Sequence, residues 1–278
     1  MTILFIRNTV RHHCEVIESV IVKYENIIKN KVDEIYLGLI PNLLWNSQFK
    51  DYIKNKYPNV KLSVPKNYDY FIEVTTRNKK KKIITESKNY FYIIHELRPN
   101  IDTFSNVFGL SPLFRNYIYA DLLPLNENIK MNKDYPIYLI QGNKDPKRRN
   151  FLLLDKILEN IYEYKFKIRW AGSGELDKKY DLFKKKGLLE ETKGNFLDYH
   201  QNFLDGYCII PLTLKKTQPQ YYSSKLTSTI NYAKGYNLKC LIDKDLQDIY
   251  KLSYVEIFND ENDIVDGFRK TLEDFYKN

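Results

Sequence analysis

Along the chain, short apolar runs alternate with longer stretches whose apolar positions recur every three or four residues. Residues 3–6, 34–40, 60–64, 70–75 and 90–95 are runs rich in β-branched and aromatic side chains, and two of them stop at Pro41 and Pro65. Runs of that length bounded by breakers predict buried strands. Between the first two runs, Val16, Val20, Tyr24, Ile27 and Ile28 lie at helical spacing, and Phe49, Tyr52 and Ile53 repeat that spacing over a shorter span. Strands alternating with helices predict a parallel sheet covered on both faces.

The pattern lapses over residues 123–136, which are polar and contain Pro124 and Pro136, and then restarts. Strands are predicted at 136–141, 166–170, 207–210 and 238–242. Helices are predicted at 150–162, 176–186, 224–234 and 264–276. Gly235 stands where a helix C-terminus favours glycine. The expected organisation is two Rossmann-like α/β domains, residues 1–125 and 136–262, joined by a linker at 126–135. The closing helix, 263–278, is free in this reading to cross back to the N-terminal domain.

Composition narrows the class. With 43 % hydrophobic and 28 % charged residues, both halves can bury a core, and disorder is excluded. The net charge of +9 favours phosphorylated or polyanionic partners without choosing among a nucleotide sugar, an acidic membrane surface and nucleic acid. No nucleic-acid-binding motif is visible, so no nucleic acid is expected. The Lys79–Lys82 run reads first as solvated charge and second as a weak membrane-docking feature. Three cysteines, Cys14, Cys208 and Cys240, form no CxxC pair, which argues against a disulfide framework or a structural zinc. The first apolar run is too short for a signal peptide and no run reaches membrane-spanning length, so a cytoplasmic location is expected.

Three segments carry candidate chemistry. In the first, a strand ends in Gly142-Asn143, and Arg148 and Arg149 precede a helix. Free amides at a helix start attract phosphate, and the two guanidinium groups can add charge-assisted hydrogen bonds. The bland alternative is a solvated basic turn. In the second, a strand runs into Gly172-Ser173-Gly174, where glycine lets backbone approach a ligand closely, or simply makes a turn. In the third, a buried strand ending at Pro211 leads through a polar loop to Ser223-Ser224-Lys225 at a predicted helix start. These serines can cap the helix, or they can present hydroxyls, amides and a lysine to a diphosphate.

Taken in order over residues 137–243, these segments resemble the donor-binding domain of GT-B glycosyltransferases, especially the retaining family 4 group. The resemblance implies a GT-B fold, two Rossmann-like domains facing each other across a cleft. It also implies metal-independent transfer from a nucleotide-sugar donor to a carbohydrate, glycan or glycoprotein acceptor, with no cofactor beyond that co-substrate. Arg148 or Arg149 and Lys225 would hold the donor diphosphate, beside Gly142, Asn143, Gly172, Gly174, Ser223 and Ser224. Phe196, in residues 194–198, would sit at the base, which that segment contacts largely through backbone, and Thr227, Ser228 or Thr229 is a candidate for the ribose hydroxyls. His95 resembles the family's histidine near the reacting sugar. Glu96, and Arg11, His12 and His13 after the first strand, would face the acceptor. No Asp-x-Asp metal signature is present.

Two departures stand out. Residues 8–13 contain no glycine, where the family has a glycine-rich loop, and no Asp or Glu occurs between Gly206 and Ile242, where it has two glutamates. They keep two alternatives open: a nucleotide-sugar epimerase on the same fold, and a non-catalytic nucleotide- or glycan-binding protein.

Overall fold

A computed structural model describes all residues except 9–12, 40–43, 75–87, 98–100, 102 and 278. Arg11, His12 and the lysine run at 79–82 lie outside the described residues. The chain divides into two compact units. Unit 1 comprises Met1–Pro124 with two short later segments, Asn195–Leu197 and Ser224–Leu226. Unit 2 comprises Leu125–Gly194, Asp198–Ser223 and Thr227–Asn278.

Unit 1 contains β1 (Ile3–Asn8), α1 (Cys14–Ile28), β2 (Glu34–Gly38), α2 (Leu44–Lys56), β3 (Val60–Lys61), β4 (Tyr70–Val74), β5 (Tyr90–Ile94) and β6 (Val107–Gly109). Its sheet runs β3-β2-β1-β4-β5-β6, and every pairing is parallel. The helical spacing read from the sequence places Val16, Ile17, Val20, Ile21, Ile27 and Ile28 of α1 in the core. Each such burial contributes about 1.5–3 kcal/mol. Glu18 is buried on the same helix, where its carboxylate accepts from the Tyr52 and Tyr57 hydroxyls at 2.7 and 2.8 Å and faces Lys56 at 3.1 Å.

Unit 2 contains β7 (Ile137–Gln141), α3 (Phe151–Asn160), β8 (Lys167–Ala171), α4 (Asp181–Lys185), β9 (Leu189–Thr192), α5 (Phe196–Gln201, whose first two residues belong to unit 1), β10 (Cys208–Ile209), α6 (Gln220–Ser223), α7 (Thr229–Gly235), β11 (Lys239–Asp243), α8 (Lys244–Tyr250), β12 (Val255–Phe258) and α9 (Ile264–Lys277). The order is β12-β11-β10-β7-β8-β9, again all parallel. Read from its first strand, each sheet therefore follows the same scheme, third-second-first-fourth-fifth-sixth. In each, strand order reverses beside the first strand, at β1/β4 and at β7/β10, and crevices for ligands form at the carboxyl ends of strands there. The closing helix α9 packs within unit 2, with Phe268 stacked on Tyr138 at 4.0 Å and Thr271 Oγ1 hydrogen-bonded to the Tyr138 hydroxyl at 2.6 Å.

The structure departs from the sequence reading at several elements, and the short helices α5, α6 and α8 are among those not predicted. The edge strands β9 and β12 are unpredicted because they are four residues long, mix glutamate with apolar residues and have one fully buried position each. The helix expected at 176–186 is reduced to a 3-10 turn at Lys178–Tyr180 and the five-residue α4. The helix expected from residue 224 starts only at Thr229. Residues 224–226 are extended instead, with Leu226 packed on the core of unit 1 and Lys225 in an antiparallel bridge with Glu96. Among the described residues no helix is long and apolar enough to cross a membrane.

Candidate functional site

In unit 2 the chemistry gathers at the carboxyl end of β7. Asn150 caps α3, its side chain accepting from the Leu152 amide at 3.1 Å, which brings the residue before it back over the strand end. Arg149 is 4 % exposed, and its guanidinium donates to the Gln141 carbonyl at 2.5 Å and the Arg148 carbonyl at 2.9 Å. Gly142, at φ +105°, is required here, since a Cβ would lie 2.9 Å from that guanidinium. Burial pushes the Arg149 pKa down, and the Tyr221 and Tyr199 hydroxyls partly oppose this. Among the described residues no carboxylate pairs with Arg149, and its Nε has no hydrogen-bond partner. Removing a charge from water costs on the order of several kcal/mol unless it is paired.

Around Arg149 lie Gln141, whose amide donates to the Tyr199 hydroxyl at 3.1 Å, and Ser228, whose hydroxyl donates to Gln141 Oε1 at 2.9 Å. Arg149 also lines a cavity of about 720 Å³ together with Lys144, Asn150, Tyr180, Thr217 and Gln218. That volume lies within the range of small-molecule sites.

The Gly-Ser-Gly segment is part of the scaffold. Lys144, its side chain wholly buried, donates to the Gly172 carbonyl at 2.9 Å and reaches that of Gly174 at 3.4 Å, with Glu191 also at 3.4 Å. Burial lowers the Lys144 pKa and Glu191 opposes it. Gly172 packs directly on the Gly142 carbonyl, which a Cβ would meet at 2.0 Å. The glycine pair thus serves close loop packing, with its carbonyls already bonded to lysine.

Other expected donor residues are dispersed. Asn143 and Arg148 are exposed, and Arg148 faces Asp145 at 3.9 Å. The Ser223 hydroxyl donates back to the Pro219 carbonyl at 3.1 Å. Thr227 is buried with its Oγ1 unpartnered among the described residues. Phe196 belongs to unit 1 and is fully buried, edge-on to Phe49 at 5.1 Å and beside Tyr52 at 5.7 Å. Its ring serves that core and is closed to a base.

In unit 1 a second cluster forms just beyond β5. His13, at φ 74°, stands before α1, and its ring lies 4.2 Å from that of His95. His13 Nδ1 is 3.4 Å from Glu15 in the first turn of α1, where a carboxylate also suits the helix dipole. Glu96 follows His95, and its carboxylate is 3.6 Å from Lys225 Nζ. The Leu97 amide donates to the Ser224 carbonyl at 2.6 Å. His13, His95, Glu96, Ser224 and Lys225 are therefore brought together. Nearby in the same sheet, at the ends of β1 and β4, Arg7 faces the buried Glu73 at 3.5 Å, and the Tyr90 hydroxyl donates to Glu73 at 3.2 Å.

Sequence reasoning missed Lys144, Gln141, Tyr199 and Tyr221. Gln141 alone carried a signal, as the polar end of an apolar strand before glycine. Among the described residues no group of three or more His, Cys, Asp or Glu could hold a metal ion.

No protein-family model matches the chain, and no curated protein matches it in sequence. Solved structures match over its whole length. AviGT4, a glycosyltransferase involved in avilamycin A biosynthesis, superposes with a TM-score of 0.57 at 11% identity, covering 98% of this chain and 88% of that one. A glycosyltransferase from Rickettsia africae gives 0.56 at 10% identity, with 99% and 90% covered. Anabaena HepE in complex with UDP gives 0.56 at 12% identity, with 100% and 91% covered. The chain shares the GT-B fold of these glycosyltransferases.

Proposed function

We propose that this protein is a glycosyltransferase that takes a sugar from a nucleoside diphosphate sugar, with unit 2 holding the nucleotide. The observation that carries this reading is the buried, carboxylate-free Arg149 at the strand-order reversal of unit 2. A diphosphate supplies the missing negative charge, and the guanidinium, fixed in advance by two carbonyls, stabilises charge that grows on the leaving phosphate. UDP is the first nucleotide to test, since HepE binds it on the same fold. His95 is the group at the reacting sugar in this reading, its ring against that of His13, which Glu15 faces in turn. The acceptor is a carbohydrate, glycan or glycoprotein, and transfer is metal-independent and retaining. Activity in EDTA and proton NMR of the product check those last two points.

The test is calorimetric titration with UDP, GDP and their sugars, followed by assay of released or transferred sugar. Binding of a nucleoside diphosphate together with sugar release is expected. An epimerised sugar from donor alone would mark an isomerase on the same fold, and no nucleoside diphosphate binding at all would defeat the reading.

A further inference from the structure

Five charged side chains line the cavity at Arg149, all of them in unit 2, and three are answered there. Lys144 is bonded to carbonyls and faces Glu191, Lys179 donates to Asp155 at 2.7 Å, and Asp177 accepts from the Lys179 amide at 2.9 Å. The other two are Arg149, which meets no carboxylate, and Glu175, which makes no hydrogen bond or ion pair among the described residues. The backbone on either side of Glu175 is nonetheless held. The Gly174 carbonyl lies 3.4 Å from Lys144 Nζ, and the Leu176 amide donates to Glu191 at 3.2 Å. The same cavity has an apolar wall of Phe151, Leu176 and Tyr180, with the Phe151 ring stacked on Trp170 at 5.2 Å and the Tyr180 hydroxyl donating to Asp155 at 2.6 Å.

We propose that this cavity takes a guanine nucleotide, with the diphosphate on Arg149 and the Glu175 carboxylate on the base. This rests on the nucleotide-sugar reading above and names the base that reading leaves open. An ionised carboxylate offers only acceptors. The Watson–Crick edge of guanine presents two adjacent donors, the N1 hydrogen and the 2-amino group, and the two oxygens of one carboxylate accept both together. Uracil instead sets one N–H between two carbonyl oxygens, which a carboxylate repels. Adenine and cytosine each place a ring-nitrogen acceptor beside their amino group. The aromatic wall suits the flat face of any base and supplies affinity, whereas Glu175 supplies the choice. With no internal partner, its carboxylate breaks no bond to receive guanine, and a base without matching donors would cover it and leave it unsatisfied.

The test is calorimetric titration of the full chain with GDP, IDP, UDP and ADP. IDP keeps the N1 hydrogen of GDP and lacks its 2-amino group. GDP is expected to bind about tenfold tighter than IDP, and at least about tenfold tighter than UDP and ADP. In Glu175→Gln the GDP and IDP affinities should come within about twofold of each other, while UDP binds no more weakly than to the parent. Binding of UDP, ADP or IDP to the parent as tightly as GDP would overturn the proposal, as would a GDP preference that survives in Glu175→Gln. Equal weakening of all four nucleotides by Glu175→Gln would assign the carboxylate to the ribose and overturn it too. Each of these results leaves the functional reading intact. A parent that binds no nucleoside diphosphate removes both. Glu175 is exposed and unbonded, so Glu175→Gln should melt at the parent's temperature, and a failure to fold would be visible separately.

Discussion

The two sheets share one strand order and each has an arginine near its reversal, Arg7 within β1 and Arg149 in the loop after β7, yet they treat its charge in opposite ways. At the β1/β4 reversal in unit 1, Arg7 meets the buried carboxylate of Glu73, and Tyr90 supplies a further hydrogen bond. At the β7/β10 reversal in unit 2, Arg149 is buried more deeply and bonded only to carbonyls and tyrosines, with no carboxylate among the described residues. One edge is neutralised by the protein itself. The other keeps a desolvated cation with no carboxylate beside it among the described residues, which costs stability. In the proposed function, that difference in side-chain charge is what reserves the crevice of unit 2 for phosphate.

The largest effect expected separates packing from binding. Phe196→Ala should cost about 3–5 kcal/mol of stability, because its ring fills the unit 1 core, while UDP affinity of the folded fraction stays within about twofold. Chemical denaturation and calorimetry measure the two quantities, and a loss of affinity without a loss of stability would return Phe196 to the nucleotide. Next, Arg149→Met should weaken UDP binding by about a hundredfold, close to 3 kcal/mol, with an apo melting temperature equal to or above the parent's. A protein that melts early and still binds UDP would mean that Arg149 is a structural strut and that the contrast between the two edges is accidental.

A third effect concerns another buried ionisable group of unit 2. Asp243 ends β11, caps α8 by accepting from the Leu246 amide at 3.2 Å, and accepts from the Tyr222 hydroxyl at 2.6 Å. Burial outweighs these bonds and raises its pKa to about 6 from the ordinary value of 3.8. Between those values the folded state keeps a proton that the unfolded state has lost, so stability falls as pH rises through that window and is level above it. Asp243→Asn removes the charge and keeps one acceptor oxygen for the Leu246 amide, while the second oxygen, which accepts from the Tyr222 hydroxyl, is replaced by an NH2 group; that loss is the same at every pH. The variant's stability relative to the parent should climb by about 1–3 kcal/mol between pH 4 and pH 6.5, as followed by denaturant midpoints. A constant difference would mean that the carboxyl ionises normally.

The smallest effect is a control on exposure. Arg148 points into solvent beside Asp145. Arg148→Ala should change apo stability by less than about 0.5 kcal/mol and UDP affinity by far less than Arg149→Met does. Comparable losses from both would show that net charge of the loop, and not burial of one guanidinium, governs binding.

By itself the sequence determined the two-part α/β organisation and most of its strands, because fully buried parallel strands read as unbroken apolar runs, as in residues 137–140. It also marked the loops after β7 and β5 as places of chemistry. It could not reveal β9 and β12, whose half-exposed edges mix carboxylates with apolar residues. It could not show that residues 224–226 are extended, since serine, lysine and leucine are all compatible with a helix and only their pairing with residues 96–97 overrides that preference. Nor could it tell Arg148 from Arg149. Adjacent residues of one type differ only in what surrounds them, and it is the turn around Gly142 and the Asn150 cap that buries one guanidinium and leaves the other in water. Charge at a site depends on partners far apart in the chain, so the tertiary structure alone decided which cations are answered and which is left bare.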